Sequence, residues 1–548
     1  MRSAKKKLTY FLCLILRRKR PAQTPETPPE EKHEVAPTPQ PCRQPPPTFD
    51  SLNLDVLREI ASVLRDEREK AALAALASCS RALRRSLSPV LFYHARYLTG
   101  YDQDDPPEAI RHLVRHIRVK LRMENIGDVQ LFMTVLGRLP NVSAIVFEAS
   151  FYTPIDIIKY CFARPQITSI AFDCCATALT GYEPPVALNT IISTQIPLTS
   201  FSYVMDIWRE QSWRLGRNRS DKLCLREEKW LSALVPRMAN TIQKLTLPME
   251  TSPILAMAHL SWPALQELSI HGRYFSEKQK EALPLFLSSV PQLRKLSITI
   301  SRLGPTTRPY ILGPSTASHT TISGLRSLTV AYPKPDDNIF SIDATHLSHL
   351  SLRDHPRYYH DCAHKPVVTT SFARPILRSA ECLSILRRMD MPELSSLELV
   401  YLADTAGCDD ELLSYVTQAF PHLSHLELHR YRANREEVVD YAHIAELLTA
   451  ARGLRSVRLN LDFHNDHGPY RHRGFDYSIW QSTFREQCGP EIVEILEACP
   501  WLEYVELLYH AYNGSRWTKF RTSRYPEPRI VDPDDGSTVD EVSLPYTL

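Results

Sequence analysis

The chain has 548 residues, and 65 basic against 62 acidic side chains leave a formal charge of only +3, a balance that excludes recognition of nucleic acid by bulk charge. A hydrophobic content of 43% supports a large packed core, and the 12 cysteines form no CxxC pair, which points to reduced thiols in a cytoplasmic or nuclear protein. With 16 glycines and no GxxxxGK[ST], GxGxxG, GxSxG or HExxH motif, the sequence predicts a non-enzymatic chain without cofactor.

In residues 1–20 the apolar run Leu8–Leu16 lies between Lys5-Lys6-Lys7 and Arg17-Arg18-Lys19-Arg20. It is far shorter than the roughly 20 residues that cross a bilayer, and RRKR stands where a signal peptide needs small residues. Three readings stay open for residues 5–20: a strip on an anionic membrane surface, a nuclear localisation element, or a tail with no address. Residues 21–48, rich in Pro, Glu, Thr and Gln, read as a disordered linker.

Residues 49–97 carry a helical pattern. Asp55 is expected to cap a first helix whose Leu57, Ile60, Ala61 and Leu64 recur at i, i+3, i+4 and i+7. Arg65 to Lys70 reads as a solvated connection; Leu73, Leu76 and Ala77 start a second helix, and Leu83 with Leu87 a third that Pro89 ends. A three-helix bundle of about 45 residues buries a marginal core and calls for a partner.

Leu52-Asn53-Leu54-Asp55-Val56-Leu57, then Ile60, Leu64 and the Ser-Cys-Ser-Arg stretch ending at Arg81, resemble the F-box of fungal type. Asn53 departs from the family's proline, and Leu83 from its aromatic residue. The resemblance implies docking on a Skp-type adaptor and through it a cullin, with Leu52, Leu54, Asp55, Val56, Leu57, Ile60 and Leu64 as adaptor-binding residues.

From residue 98 to 512 a pattern Pro-x-Leu-x-x-Leu-x-Leu recurs, as in PALQELSI from Pro263, PQLRKLSI from Pro291, PELSSLEL from Pro392 and PHLSHLEL from Pro421. Each copy alternates over a strand's length, and several follow a helix-period stripe: Val129, Phe132, Met133 and Leu136; Leu412, Tyr415, Val416 and Ala419; Tyr441, Ile444, Ala445 and Leu448; Ile492, Ile495, Leu496 and Cys499. Stacked units of this kind predict an α/β fold, an irregular leucine-rich-repeat solenoid of parallel strands with outer helices. The spacing is uneven, and the Asn or Cys that follows Leu-x-Leu in regular repeats is mostly missing. Residues 513–548 read as a tail.

The central residue of each Leu-x-Leu is expected on the inner face, away from the helices. Val146, Ala171 and Ser202 begin this row, Thr246, Ser269, Ser297, Thr329 and Ser351 continue it, and Glu398, Glu427, Arg458 and Glu506 end it. Small hydroxyl residues let a target protein approach closely, and the charged end supplies orientation; the same positions also suit a plain solvated sheet. The insertion Asp206–Trp230 interleaves Trp208, Trp213 and Trp230 with Arg209, Arg214, Arg217 and Arg219, a composition of protein interfaces. Trp208, Trp213 and Arg214 join the row as candidate target-binding residues. Two histidine clusters, His355 with His360, Asp361, Cys362 and His364, and His464 with Asp466, His467 and His472, lack the spacing of a zinc site, so no metal is expected. A ligase substrate receptor is thus the leading expectation, and a repeat scaffold outside any ligase the alternative.

Overall fold

The computed structural model describes residues 53–66, 70–98, 106–120, 126–148, 155–173, 196–204, 217–273, 276–303, 308, 310–314, 322–355, 357, 359, 372–373, 375–404, 408–434, 436–466, 475–511, 514–524 and 530–531. The chain divides into two compact units, residues 1–120 with 125–145, and residues 121–124 with 146–548.

In the first unit, α1 (Leu54–Asp66), α2 (Lys70–Cys79) and α3 (Arg81–Leu91) form the expected bundle. Its core is Leu57, Ile60, Ala61, Leu73, Leu76, Ala77, Leu83 and Leu87, all 6% exposed or less, with Val56 and Leu64 packed against it from half-buried positions. Periodicity alone placed these side chains, because each helix turns one stripe to the others.

Two local expectations are corrected. The N-cap of α1 is Asn53, not Asp55: Asn53 Oδ1 accepts the Asp55 N–H at 3.0 Å, and the Asn53 carbonyl accepts that of Leu57 at 3.1 Å. Asp55 instead sits in the first turn, where its charge meets the positive end of the helix. Substituting Asn53→Ala is therefore expected to destabilise α1 by about 1 kcal/mol, read as faster amide exchange in its first turn. Pro89 does not end α3. A proline deletes only its own N–H bond and crowds one carbonyl, and the turn closes beyond it, with the Phe92 N–H donating to Ser88 O at 3.0 Å. The start of α3 is fixed by Ser80, whose hydroxyl accepts the Leu83 N–H at 3.1 Å.

Strand β1 (His94–Leu98), α4 (Glu108–Arg111), β2 (His116–Lys120), α5 (Ile126–Gly137) and β3 (Ala144–Glu148) follow, β1 and β2 pairing in parallel. The predicted stripe of α5 is buried at Val129, Phe132 and Leu136.

The second unit is a repeat solenoid. Its strands are β4 (Ser169–Asp173), β5 (Ser200–Tyr203), β6 (Lys244–Pro248), β7 (Glu267–Arg273), β8 (Lys295–Leu303), β9 (Ser327–Ala331), β10 (His349–Arg353), the short β11 (Phe372–Ala373) and β12 (Leu377–Arg378), β13 (Ser396–Leu402), β14 (His425–Tyr431), β15 (Ser456–Asn460), β16 (Tyr504–Ala511), β17 (Gly514–Arg521) and β18 (Ile530–Val531). Its helices are α6 (Ile155–Phe162), α7 (Arg217–Leu234), α8 (Ile254–Ala258), α9 (Glu277–Ser288), α10 (Ser379–Arg388), α11 (Cys408–Ala419), α12 (Tyr441–Leu448), α13 (Phe475–Thr483) and α14 (Gly489–Leu496). Strands β4 to β10 and β13 to β16 pair side by side in parallel. Within the stretch read as a tail, β17 closes the sheet antiparallel to β16, because Ser515, Thr518 and Phe520 supply buried strand positions. No helix among the described residues is long and apolar enough to cross a membrane.

The repeats hold together without the missing Asn or Cys. From β5 to β10, and at β13 and β14, the carbonyl just before the strand accepts two N–H groups from the next repeat. Thr199 O takes Gln243 N at 2.7 Å and Lys244 N at 3.0 Å, and Gln243, Gln266, Arg294, Arg326, Ser348, Ser395 and Ser424 repeat the arrangement. The hydroxyls of Ser348, Ser395 and Ser424 each add a third bond to the preceding carbonyl at 3.0 Å. These turns are thus satisfied by the neighbouring repeat's backbone, which frees the sequence from a fixed ladder residue and from a fixed repeat length.

Candidate functional site

The predicted inner row exists as one aligned file. Backbone register pairs Ala171 with Ser202, then in turn Thr246, Ser269, Ser297, Thr329, Ser351, Glu398, Glu427, Arg458 and Glu506, each opposite the next. The flanking leucines are buried on the opposite face, as the strand period of two requires. Thr246, Ser269 and Thr329 are half-buried, whereas Ser297 and Ser351 are buried. Val146 is buried as well.

The charged end of the row is already engaged. Arg357, in the segment after β10, ion-pairs with Glu398, lies 3.3 Å from Glu427 and donates to Asp354 at 3.1 Å. Arg458 reaches Glu427 at 2.9 Å and Glu506 at 2.8 Å, and its guanidinium lies 4.3 Å from the Trp517 ring centre. Ser351 Oγ donates to Glu398 at 2.6 Å, and His429 Nε2 lies 2.8 Å from Glu427. Above these groups Tyr359 stacks on His429 with an interplanar angle of 3°, and Ser515 Oγ donates to the Tyr359 carbonyl at 2.9 Å. Arg357 and Tyr359 therefore sit over Glu398, Glu427 and His429, and the charges of the two glutamates are spent on arginine.

Burial pushes the Glu398 carboxyl up, but the guanidiniums of Arg357 and Arg353 outweigh it and hold the group at about 2. Glu427 likewise lies well below the carboxylate range: burial raises it, and the His429 hydrogen bond with Arg458 and Arg357 pulls it down further. Carboxylates so held are weak bases and strong ion-pair partners, so the arrangement clamps neighbouring strands rather than offering a proton acceptor. Ligand atoms of Glu398, Glu427 and His429 lie within 4.8 Å of one another. A cation there would have to displace Arg357 and Arg458 from the same oxygens, so this donor set does not fit a metal.

Of the candidate adaptor-binding residues, Leu57 and Ile60 are core, Val56 and Leu64 are half-buried, and only Leu54, at 40% exposure, and Asp55 stand at the surface. Leu52 lies outside the described residues, as do Trp208, Trp213, Arg214, residues 1–20 and the linker. The described end of the Trp-Arg insertion is helix α7, and there Trp230 is 6% exposed, a core side chain rather than a contact residue. His360, Asp361, Cys362, His364, His467 and His472 also fall outside the described residues.

A second row on the same face escaped the sequence reading. The residue before each Leu-x-Leu aligns as Lys244, Glu267, Lys295, Ser327, His349, Ser396, His425, Ser456 and Tyr504. Lys244 pairs with Glu267 at 2.9 Å, His349 Nδ1 meets Ser396 Oγ at 3.0 Å, and His425 Nδ1 meets Ser456 Oγ at 2.7 Å. The signal was present in the aligned copies, where this column alternates Ser and His from Ser327 to Ser456. Comparison with known proteins gives no match, either to a protein-family model or to a curated protein.

Proposed function

We propose that the chain is the substrate-recognition subunit of a Skp–cullin–F-box ubiquitin ligase, working in the cytoplasm or nucleus. In this reading the bundle α1–α3 docks on the adaptor and the repeat array holds the target protein. The observation that carries it is the F-box-like sequence Leu54-Asp55-Val56-Leu57 folded so that Leu57 is spent on the core while Leu54 and Asp55 remain outside. An exposed leucine at the mouth of a small bundle is the kind of anchor a partner surface desolvates. On the array, the half-buried Thr246, Ser269 and Thr329 are among the row positions left to a target.

The test is capture of a Skp-type adaptor by the full chain, compared with Leu54→Arg. Leu54 lies outside the core cluster of the bundle, so the thermal unfolding profile is expected to stay unchanged while adaptor capture falls at least tenfold. Absence of capture by the wild-type chain would favour the other assignment, a repeat scaffold that uses the bundle only as a structural module.

A further inference from the structure

A cleft of about 660 Å³ opens along the edge where β8, β9, β10 and β13 begin, lined among others by Pro291, Arg294, Gly324, Arg326, His346 and Glu393. It lies beside the ladder of turn carbonyls, which ties the backbones of the two arginines together: Arg326 N donates to Arg294 O at 2.7 Å, so the residues occupy adjacent rungs. Neighbouring rungs stand about 5 Å apart, which sets the two side chains next to each other. Both are exposed, and neither guanidinium has an ion-pair partner among the described residues. Across the cleft, Glu393 is 3.6 Å from His346 and is thereby partly committed. Gly324 takes φ +77°, with open space where a side chain would stand, so the turn between the arginines leaves the cleft floor clear.

By contrast Arg357, Arg458, Arg430 and Arg308 of this unit each hold a carboxylate. Two adjacent unpaired guanidiniums in a cleft, on backbones joined by a hydrogen bond, form a fork for carboxylates. We infer that this cleft binds an acidic segment of a partner protein, Arg294 and Arg326 together holding its carboxylates. The inference rests on the proposed function only in taking that partner to be the target; binding at the cleft needs no adaptor.

The experiment is an anisotropy titration of the full chain with a fluorescein-labelled oligoglutamate peptide at low and moderate salt. Arg294→Glu/Arg326→Glu is compared with Lys229→Glu/Arg455→Glu, which makes the same change in net charge at exposed positions away from the cleft. The cleft double variant is expected to lose at least tenfold in affinity, with a shallower salt dependence, and the control less than twofold. Equal loss in both, or no binding by the wild-type chain, overturns the inference. Unfolding profiles of all three proteins guard against a folding artefact, and a failed adaptor capture would leave this outcome unchanged.

Discussion

Substituting Glu398→Ala is expected to destabilise the second unit by about 3–5 kcal/mol, the cost of stranding a buried guanidinium whose partner has been removed. Arg357 would remain beneath Tyr359 with Asp354 and the more distant Glu427, and Ser351 Oγ would lose its acceptor. Removing both ends gives a smaller loss, so Glu398→Leu/Arg357→Met is expected to recover part of the stability, because an apolar pair needs no compensation for desolvation. The pH dependence has a definite sign. Glu398 is held at about 2, below its unfolded value, so its contribution is present above about pH 4.5 and is lost as pH falls towards 2. Thermal unfolding followed from pH 6 to pH 2 should show the wild-type chain losing stability across that window and Glu398→Ala losing less. Equal slopes would mean that the ion pairs contribute nothing net.

The solenoid was legible because its leucines obey two short-range rules at once, a period of two in the strands and of 3.6 in the helices, and a one-residue slip would turn every buried leucine to the wrong face. That is why the row from Ala171 to Glu506 is readable in order from the sequence. What covers its charged end was not legible. Arg357 reaches Glu427 across a sequence separation of 70, and nothing local to either residue marks the pairing. Trp230 misled for the opposite reason: aromatic and basic residues interleave both at interfaces and on a helix with one buried side, and only the neighbours decide. Asn53 is more instructive. It departs from the F-box pattern, yet the same residue supplies the side-chain oxygen that caps α1, so its presence has a local structural cause.

The bundle gives the second large effect. Leu87 is fully buried in a core of eight side chains, most of them leucine or alanine, and Leu87→Ala removes volume that so few neighbours cannot refill. Leu→Ala at such a site costs about 2–5 kcal/mol, which is comparable with the whole stability of a helical unit of this size. Amide exchange measured on the full chain should therefore show protection collapsing through α1, α2 and α3 together, because the eight residues form one cluster and no helix retains a face to pack on. Amides of β13, β14 and β15, which are held by parallel pairing in the second unit, should keep theirs. Set beside Leu54→Arg, the experiment separates two causes of lost adaptor capture. Leu87→Ala removes capture by unfolding the bundle, whereas Leu54→Arg removes it with exchange in α1–α3 unchanged. If Leu87→Ala left capture intact, the docking surface would have to lie outside α1–α3, and Leu54 and Asp55 would lose their assigned role.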